Sequence, residues 1–146
     1  MRHMKQADKK ILKEIQKNAQ MGIEAIQTIN NKIYDDGLAL DLNKQALKYT
    51  EYRNRAEGIL REAKETPYYE STFERGMLKA GIHMNTMLNT STGHMAELMI
   101  QGSNRGITDM CKAINHNEDA SKYSMEIAKE LMDFEEQNIE RMKLYL

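Results

Sequence analysis

Between Lys9 and Tyr34, Ile11, Ile15, Gly22, Ile26, Ile29 and Ile33 recur at steps of three, four or seven. That spacing returns each to one stripe of an α-helix, with the polar positions between them facing outward. Asp35-Asp36-Gly37 reads as the helix end. A left-handed glycine and a short polar turn would send the next helix back antiparallel to the first. The second helix is expected from Leu38 to about Lys64, with Leu42, Ala46, Tyr49, Ala56, Leu60 and Ala63 on one side and the Arg/Glu pairs of YRNRAEGILREAKE on the other. Thr66 precedes Pro67 and is pushed out of the helical region, which makes TPYY a firm boundary.

A third helical region opens at STFERG, where Ser71 or Thr72 can cap and Glu74 stands at capping-box spacing. From Ala80 to Ala96, AGIHMNTMLNTSTGHMA holds no charged residue beyond whatever His83 and His94 carry. A helix so poor in charge is expected to be covered by the other helices or by a second subunit. NTSTG, residues 89–93, predicts a kink or break, with Ser91 or Thr92 capping a helix that runs to about Asn115. After the turn HNED at 116–119, a last helix to Leu146 carries the stripe Ile127, Leu131, Phe134, Asn138, Met142 and Tyr145. Four helices of roughly 25 residues joined by short turns predict an all-α, antiparallel up-down-up-down four-helix bundle about 35–40 Å long.

Composition narrows this without redirecting it. The 146 residues, one of them proline, fit a single domain over 1–146, with residues 1–7 expected to be disordered or a remnant of cloning. The chain is 40% hydrophobic, 29% charged and 6% aromatic, a helix-favouring mixture. Its 21 basic and 22 acidic side chains give a net charge of −1, which leaves no basic field for nucleic acid or an anionic membrane. Arg53, Arg55 and Arg61 with Tyr49 and Tyr52 form a small basic-aromatic cluster, but interleaved glutamates cancel its field. The one cysteine, Cys111, excludes an internal disulfide and a paired-cysteine zinc site, which suits a reducing cytoplasm. It shares a row with Ile100, Asn104, Ile107 and Ile114 and reads as a small buried hydrophobe. No apolar run approaches the ~20 residues that span a bilayer.

Helical bundles can host two-metal carboxylate sites built from Glu-x-x-His motifs. No glutamate in this chain has a histidine three residues later. What remains is the reverse order, His94-x-x-Glu97, one turn apart on one face. These two are weak candidates for a divalent metal, needing partners from Glu14, Glu24, Glu57 or Glu136. Two glycines one turn apart, Gly102 and Gly106, lie on a stripe with Met95, Met99, Met110 and Ala113. Each glycine inside a helix costs up to about 1 kcal/mol relative to alanine. A close helix–helix contact, facing Gly22, is the expected compensation. Twelve methionines are many for this length, and Met77, Met84, Met87, Met95, Met99 and Met110 fall in the third region. Methionine fills core gaps and also makes adaptable binding surfaces. No phosphate loop, nucleophile elbow or dinucleotide fingerprint appears.

The run HMAELMIQGSNRGITDMCKAIN at 94–115, with NAQMGIEAIQTI at 18–29 and FEEQNIERMKLYL at 134–146, resembles small bacterial proteins common in spore-forming Firmicutes. Its most specific piece is AELMIQGSNRGI. The resemblance implies a ferritin-like four-helix bundle and self-association, and it carries no established activity; a fold does not by itself give function. The ligands of ferritins do not transfer, because the positions that would carry Glu-x-x-His do not.

Three functions follow as expectations. The first is a non-enzymatic cytoplasmic protein acting through self-association or protein partners, as a homodimer seated on the charge-poor third region. The second is a divergent binder of iron, manganese or zinc using Glu97 and His94. The third is a carrier of a small apolar ligand, which requires a cavity between the methionine-rich helices.

Overall fold

The computed structural model describes residues 3–87 and 89–146. The chain forms five α-helices: α1 (Gln6–Ile29), α2 (Asp36–Glu62), α3 (Thr72–Thr86), α4 (Thr92–Asn115) and α5 (Lys122–Lys143), with no strand among the described residues. Among those residues no helix is long and apolar enough to cross a membrane. Helix α1 is the hub, packing against every other helix, and α4 packs closely on α5. Its stripe is buried much as its periodicity predicts: Ile11, Leu12, Ile15, Ala19, Ile23, Ile26 and Ile29 all enter the core. Leu38, Leu42, Tyr49, Ala56 and Leu60 meet them from α2, Met95, Met99 and Met110 from α4, and Ile127, Leu131 and Met142 from α5.

Several boundaries differ from the sequence expectation. Helix α1 stops at Ile29 and passes through a short 3-10 turn, Asn30–Lys32, rather than reaching Tyr34. Gly37 is not a left-handed stop, for no glycine among the described residues has positive φ. Asp35 instead begins the next helix, its carboxylate accepting from the Leu38 N–H at 2.8 Å. Lys64 takes the left-handed conformation at the end of α2, with φ 59°. Its N–H reaches the Arg61 carbonyl at 2.9 Å while the Glu65 N–H reaches that of Leu60 at 2.8 Å, the paired bonds of a Schellman ending. A lysine gives no sequence signal for that role.

The segment expected to be disordered, 1–7, is partly folded. Met1 and Arg2 lie outside the described residues, but Gln6 and Ala7 belong to α1, Ala7 is buried and Met4 packs on the core. Just beyond, Asp8 ties the two ends of the chain together. Its buried carboxylate accepts from the Ser121 N–H at 2.8 Å, the Ser121 hydroxyl at 2.8 Å and the Ser124 hydroxyl at 2.7 Å. Helix α5 therefore takes its N-terminal cap from α1, because Ser121 makes no side-chain cap of its own. At the other end of α5, Arg141 and Tyr145 both donate to Asp41 of α2.

The third region breaks where NTSTG predicts, and Ser91 caps α4 by accepting from the His94 N–H at 3.3 Å. Ser71 caps α3 at the Glu74 N–H, whose own carboxylate accepts from the Tyr68 hydroxyl. Within the chain, α3 lacks the cover its composition suggests: Met77, Met84 and Met87 are 61%, 74% and 73% exposed. It is strapped to α1 by polar contacts. Gln16 clamps the Tyr68 backbone with both ends of its amide, and Arg75 reaches Glu24 at 2.8 Å. Lys32 donates to Thr86 at 2.7 Å. Cys111, expected inside, is exposed. The row it shares with Ile100 and Ile107 faces the rim of the bundle rather than its centre, and its thiol sits 3.7 Å from the Met132 sulfur.

Candidate functional site

Beneath α3, α1 and α4 part to leave a cleft of about 330 Å³. Its walls are mostly hydrocarbon, from Met21 and Ala25 on α1, Leu78 on α3, and Leu98 and Met99 on α4. Gly102 opens it, since a Cβ there would meet nothing within 4 Å. At the floor stands Glu135 of α5, 1% exposed. The Tyr49 hydroxyl donates to its Oε2 at 3.1 Å, while Oε1 has no partner.

A carboxyl group in such a place is costly unless it keeps its proton. Burial, which outweighs the lowering influence of the Tyr49 hydroxyl and the neighbouring Asn18 amide, together with the nearby Asp109 charge, pushes the Glu135 carboxyl up to about 8. The Tyr49 phenol is likewise driven up by burial and by Glu135. Both groups are therefore neutral at pH 7. Phe134 packs edge-on against the Tyr49 ring, with centroids 4.9 Å apart.

Two glycines make room for this pair. A Cβ at Gly22 would lie 2.7 Å from the Tyr49 ring, and one at Gly106 would overlap the Glu135 carboxylate and sit 2.8 Å from the Asn18 amide oxygen. The expected close approach between Gly106 and Gly22 is thus replaced by something different. Each glycine houses a buried polar side chain arriving from another helix, and Asn18 fastens the site by donating to the Gly106 carbonyl at 2.8 Å. Gly102 is no contact seam either, because it faces the open cleft.

A second buried acidic pair lies where α3 meets α1. The Glu24 and Glu70 carboxyls lie beside each other, Oε2 of each buried without a hydrogen-bond partner, and Arg75 Nε stands 3.8 Å from Glu70 Oε2. Desolvation and then Glu24 push Glu70 up to about 7, so one proton is held between the two near neutrality. Arg75 fixes the ionised member, Glu24.

The candidate metal ligands do not converge. His94 turns its ring to the Asn85 carbonyl at 2.8 Å, and exposed Glu97 accepts from Gln101 at 3.4 Å. Of the proposed partners, Glu24 is engaged with Glu70 and Arg75, Glu57 pairs with Arg61, and Glu136 is on the outer surface; only Glu14 borders the cleft. Among the described residues no group of three or more His, Cys, Asp or Glu is placed to hold a metal ion. Tyr49 is buried, as its place on the apolar side of the second helix predicts, and Tyr52, read with the arginines, is buried as well.

Glu135 is the residue that sequence reasoning passed over in favour of Glu136. Its signal was present: Ala128, Leu131, Glu135, Asn138 and Met142 recur at steps of three and four, so a carboxylate stands inside the buried stripe. Compared with known protein families, with curated proteins and with solved structures, the chain finds no match.

Proposed function

We propose that this protein is a non-enzymatic binding protein for a small apolar molecule, which it holds in the cleft between α1 and α4. The observation that carries the reading is the apolar cleft closed at its floor by one buried carboxyl with a free oxygen. Small-molecule sites are commonly concave and hydrocarbon-lined, with a few fixed polar groups that orient the ligand, and their volumes start near 300 Å³. Binding fits better than catalysis because, among the described residues, no His, Cys or Lys lines the cleft to serve as nucleophile or as a partner base to Glu135. In this reading the four long helices form the antiparallel, ferritin-like bundle that the resemblance implies, with α3 laid across its opening.

Filling the cleft tests the proposal. Wild-type protein is expected to bind the neutral solvatochromic dye prodan at one saturable site, seen as a blue shift in emission. Gly102→Leu is expected to abolish that site while leaving the melting temperature unchanged or higher, since the position is open and leucine gains up to about 1 kcal/mol over glycine in a helix. Equal dye affinity in a folded Gly102→Leu variant would place binding elsewhere and end the reading.

A second reading is favoured by the exposed methionines of α3: two copies associating through Met77, Met84 and Met87. Sedimentation at micromolar concentration is then expected to show a dimer that Met84→Glu dissociates. A wild-type monomer throughout would remove it.

A further inference from the structure

The polar features of the cleft are unequal in sign. Among its lining residues Glu14, Asp109 and Glu135 are acidic and Arg105 alone is basic. Arg105 is already engaged, its Nε 3.3 Å from an Asp109 oxygen, and its side chain is 75% exposed. Glu14, with Lys17 nearby, stands at the mouth, and Glu135 stands at the floor with its proton retained. An anionic head group would be repelled by Glu14, a neutral one could only exchange hydrogen bonds with the Glu135 carboxyl, and a cationic one could displace its proton and form an ion pair.

The floor is also chemically one-sided. Tyr49 occupies Glu135 Oε2 as a donor, and the Asn18 amide is committed to the Gly106 carbonyl. Oε1 is left buried and unpartnered at the end of a hydrocarbon channel. A buried carboxyl oxygen is satisfied best by a charge-assisted N–H donor.

Resting on the binding reading above, we infer that the ligand class is an aliphatic ammonium ion, a compact hydrocarbon body whose one protonated amine docks on Glu135 Oε1. The body fills the space between Met21, Leu78, Leu98 and Met99, and Glu14 attracts the charge at the entrance.

This assignment carries a proton balance. In the empty site Glu135 holds its proton to about pH 8. The groups around it in the cleft are Asn18 and Glu14 from α1, Tyr49 from α2, Ser103, Arg105 and Asp109 from α4, and Asn138 on α5 itself; among the described residues α3 contributes Leu78. When an ammonium ion enters, the carboxyl gives its proton to solvent and the carboxylate pairs with the cation. One ligand bound near pH 7 therefore releases close to one proton, and one bound well above pH 8 releases almost none.

Octylamine, 1-octanol and octanoate, titrated calorimetrically into the full chain in phosphate and in Tris, separate the possibilities. We expect octylamine to bind at least tenfold more tightly than 1-octanol at pH 7, octanoate to bind weakest, and the two buffers to reveal release of close to one proton with octylamine alone. Glu135→Gln, which keeps the shape and removes the charge, is expected to erase the proton release and bring octylamine down to the affinity of 1-octanol. Wild-type protein that binds 1-octanol as tightly as octylamine, or octylamine without proton release, overturns the ammonium assignment. In that event, loss of binding in Gly102→Leu would leave the cleft itself standing as a site. Absence of saturable binding for all three compounds and for prodan overturns both proposals.

Discussion

Glu135→Gln is expected to make the protein more stable than wild type at pH 9, and to flatten most of the fall in stability that wild type shows between pH 5 and pH 9. The Glu135 carboxyl moves from an ordinary value of 4.5 up to about 8 on folding, with burial as the main cause. A folded-state value above the unfolded one means the group's contribution is intact below about 4.5. It is then lost steadily as pH rises toward 8 and stays constant beyond. The full effect is on the order of a few kcal/mol for a group this buried, a large share of the 5–15 kcal/mol typical of a domain. Glutamine keeps an oxygen for the Tyr49 hydroxyl and never ionises. The variant retains slopes of the same sign from Glu70, which sits up near 7 beside Glu24, and from Glu14, which burial also raises. Urea unfolding at pH 5, 7 and 9 measures all of this. A variant whose stability tracks the wild-type slope would show that Glu135 ionises as freely as a surface glutamate.

Asp8→Ala should be the most damaging single change on the polar framework. It removes the acceptor for three hydrogen bonds at once and leaves the Ser121 N–H at the start of α5 without its cap. Stranding buried donors costs roughly 1–3 kcal/mol each, and loss of a cap about 1 kcal/mol, with partial overlap between them. A total of about 2–4 kcal/mol follows, which for a chain of this size lowers the melting temperature by roughly 5–12 °C. Asp8→Asn keeps one acceptor oxygen and is expected to lose about half as much. A melting temperature within two degrees of wild type for Asp8→Ala would mean that α5 is not capped from α1.

Comparison of these two acids shows which features of the structure could be read in advance. Asp8 and Glu135 look like any other charged residue in a chain with 22 acidic side chains. Position within a stripe sets Glu135 apart, since Leu131 four residues before it and Asn138 three residues after it are both buried. Nothing local sets Asp8 apart, because its partners lie 113 and 116 residues away. The glycines behave in the same way. Their cost in a helix announces that something must compensate, but the compensating group is a tyrosine ring for Gly22 and a carboxylate for Gly106, each from a distant helix.

The sequence alone determined the elements that depend on local physics. Periodic spacing placed Ile11, Ile15, Ile26 and Ile29 in the core, the pairs Ser71-Thr72 and Ser91-Thr92 marked the starts of α3 and α4, and Pro67 lay beyond the end of α2. Each depends on spacing or backbone chemistry within a few residues. Tertiary structure alone decided that Tyr49 donates to a glutamate 86 residues away, that Met77 and Met84 face outward while Met95 and Met110 face inward, and that Cys111 is exposed. Helical periodicity fixes which residues share a face, but not which helix that face will meet. The cleft arises from that second choice, where small residues on α1 and α4 face each other and a buried acid from α5 closes the floor.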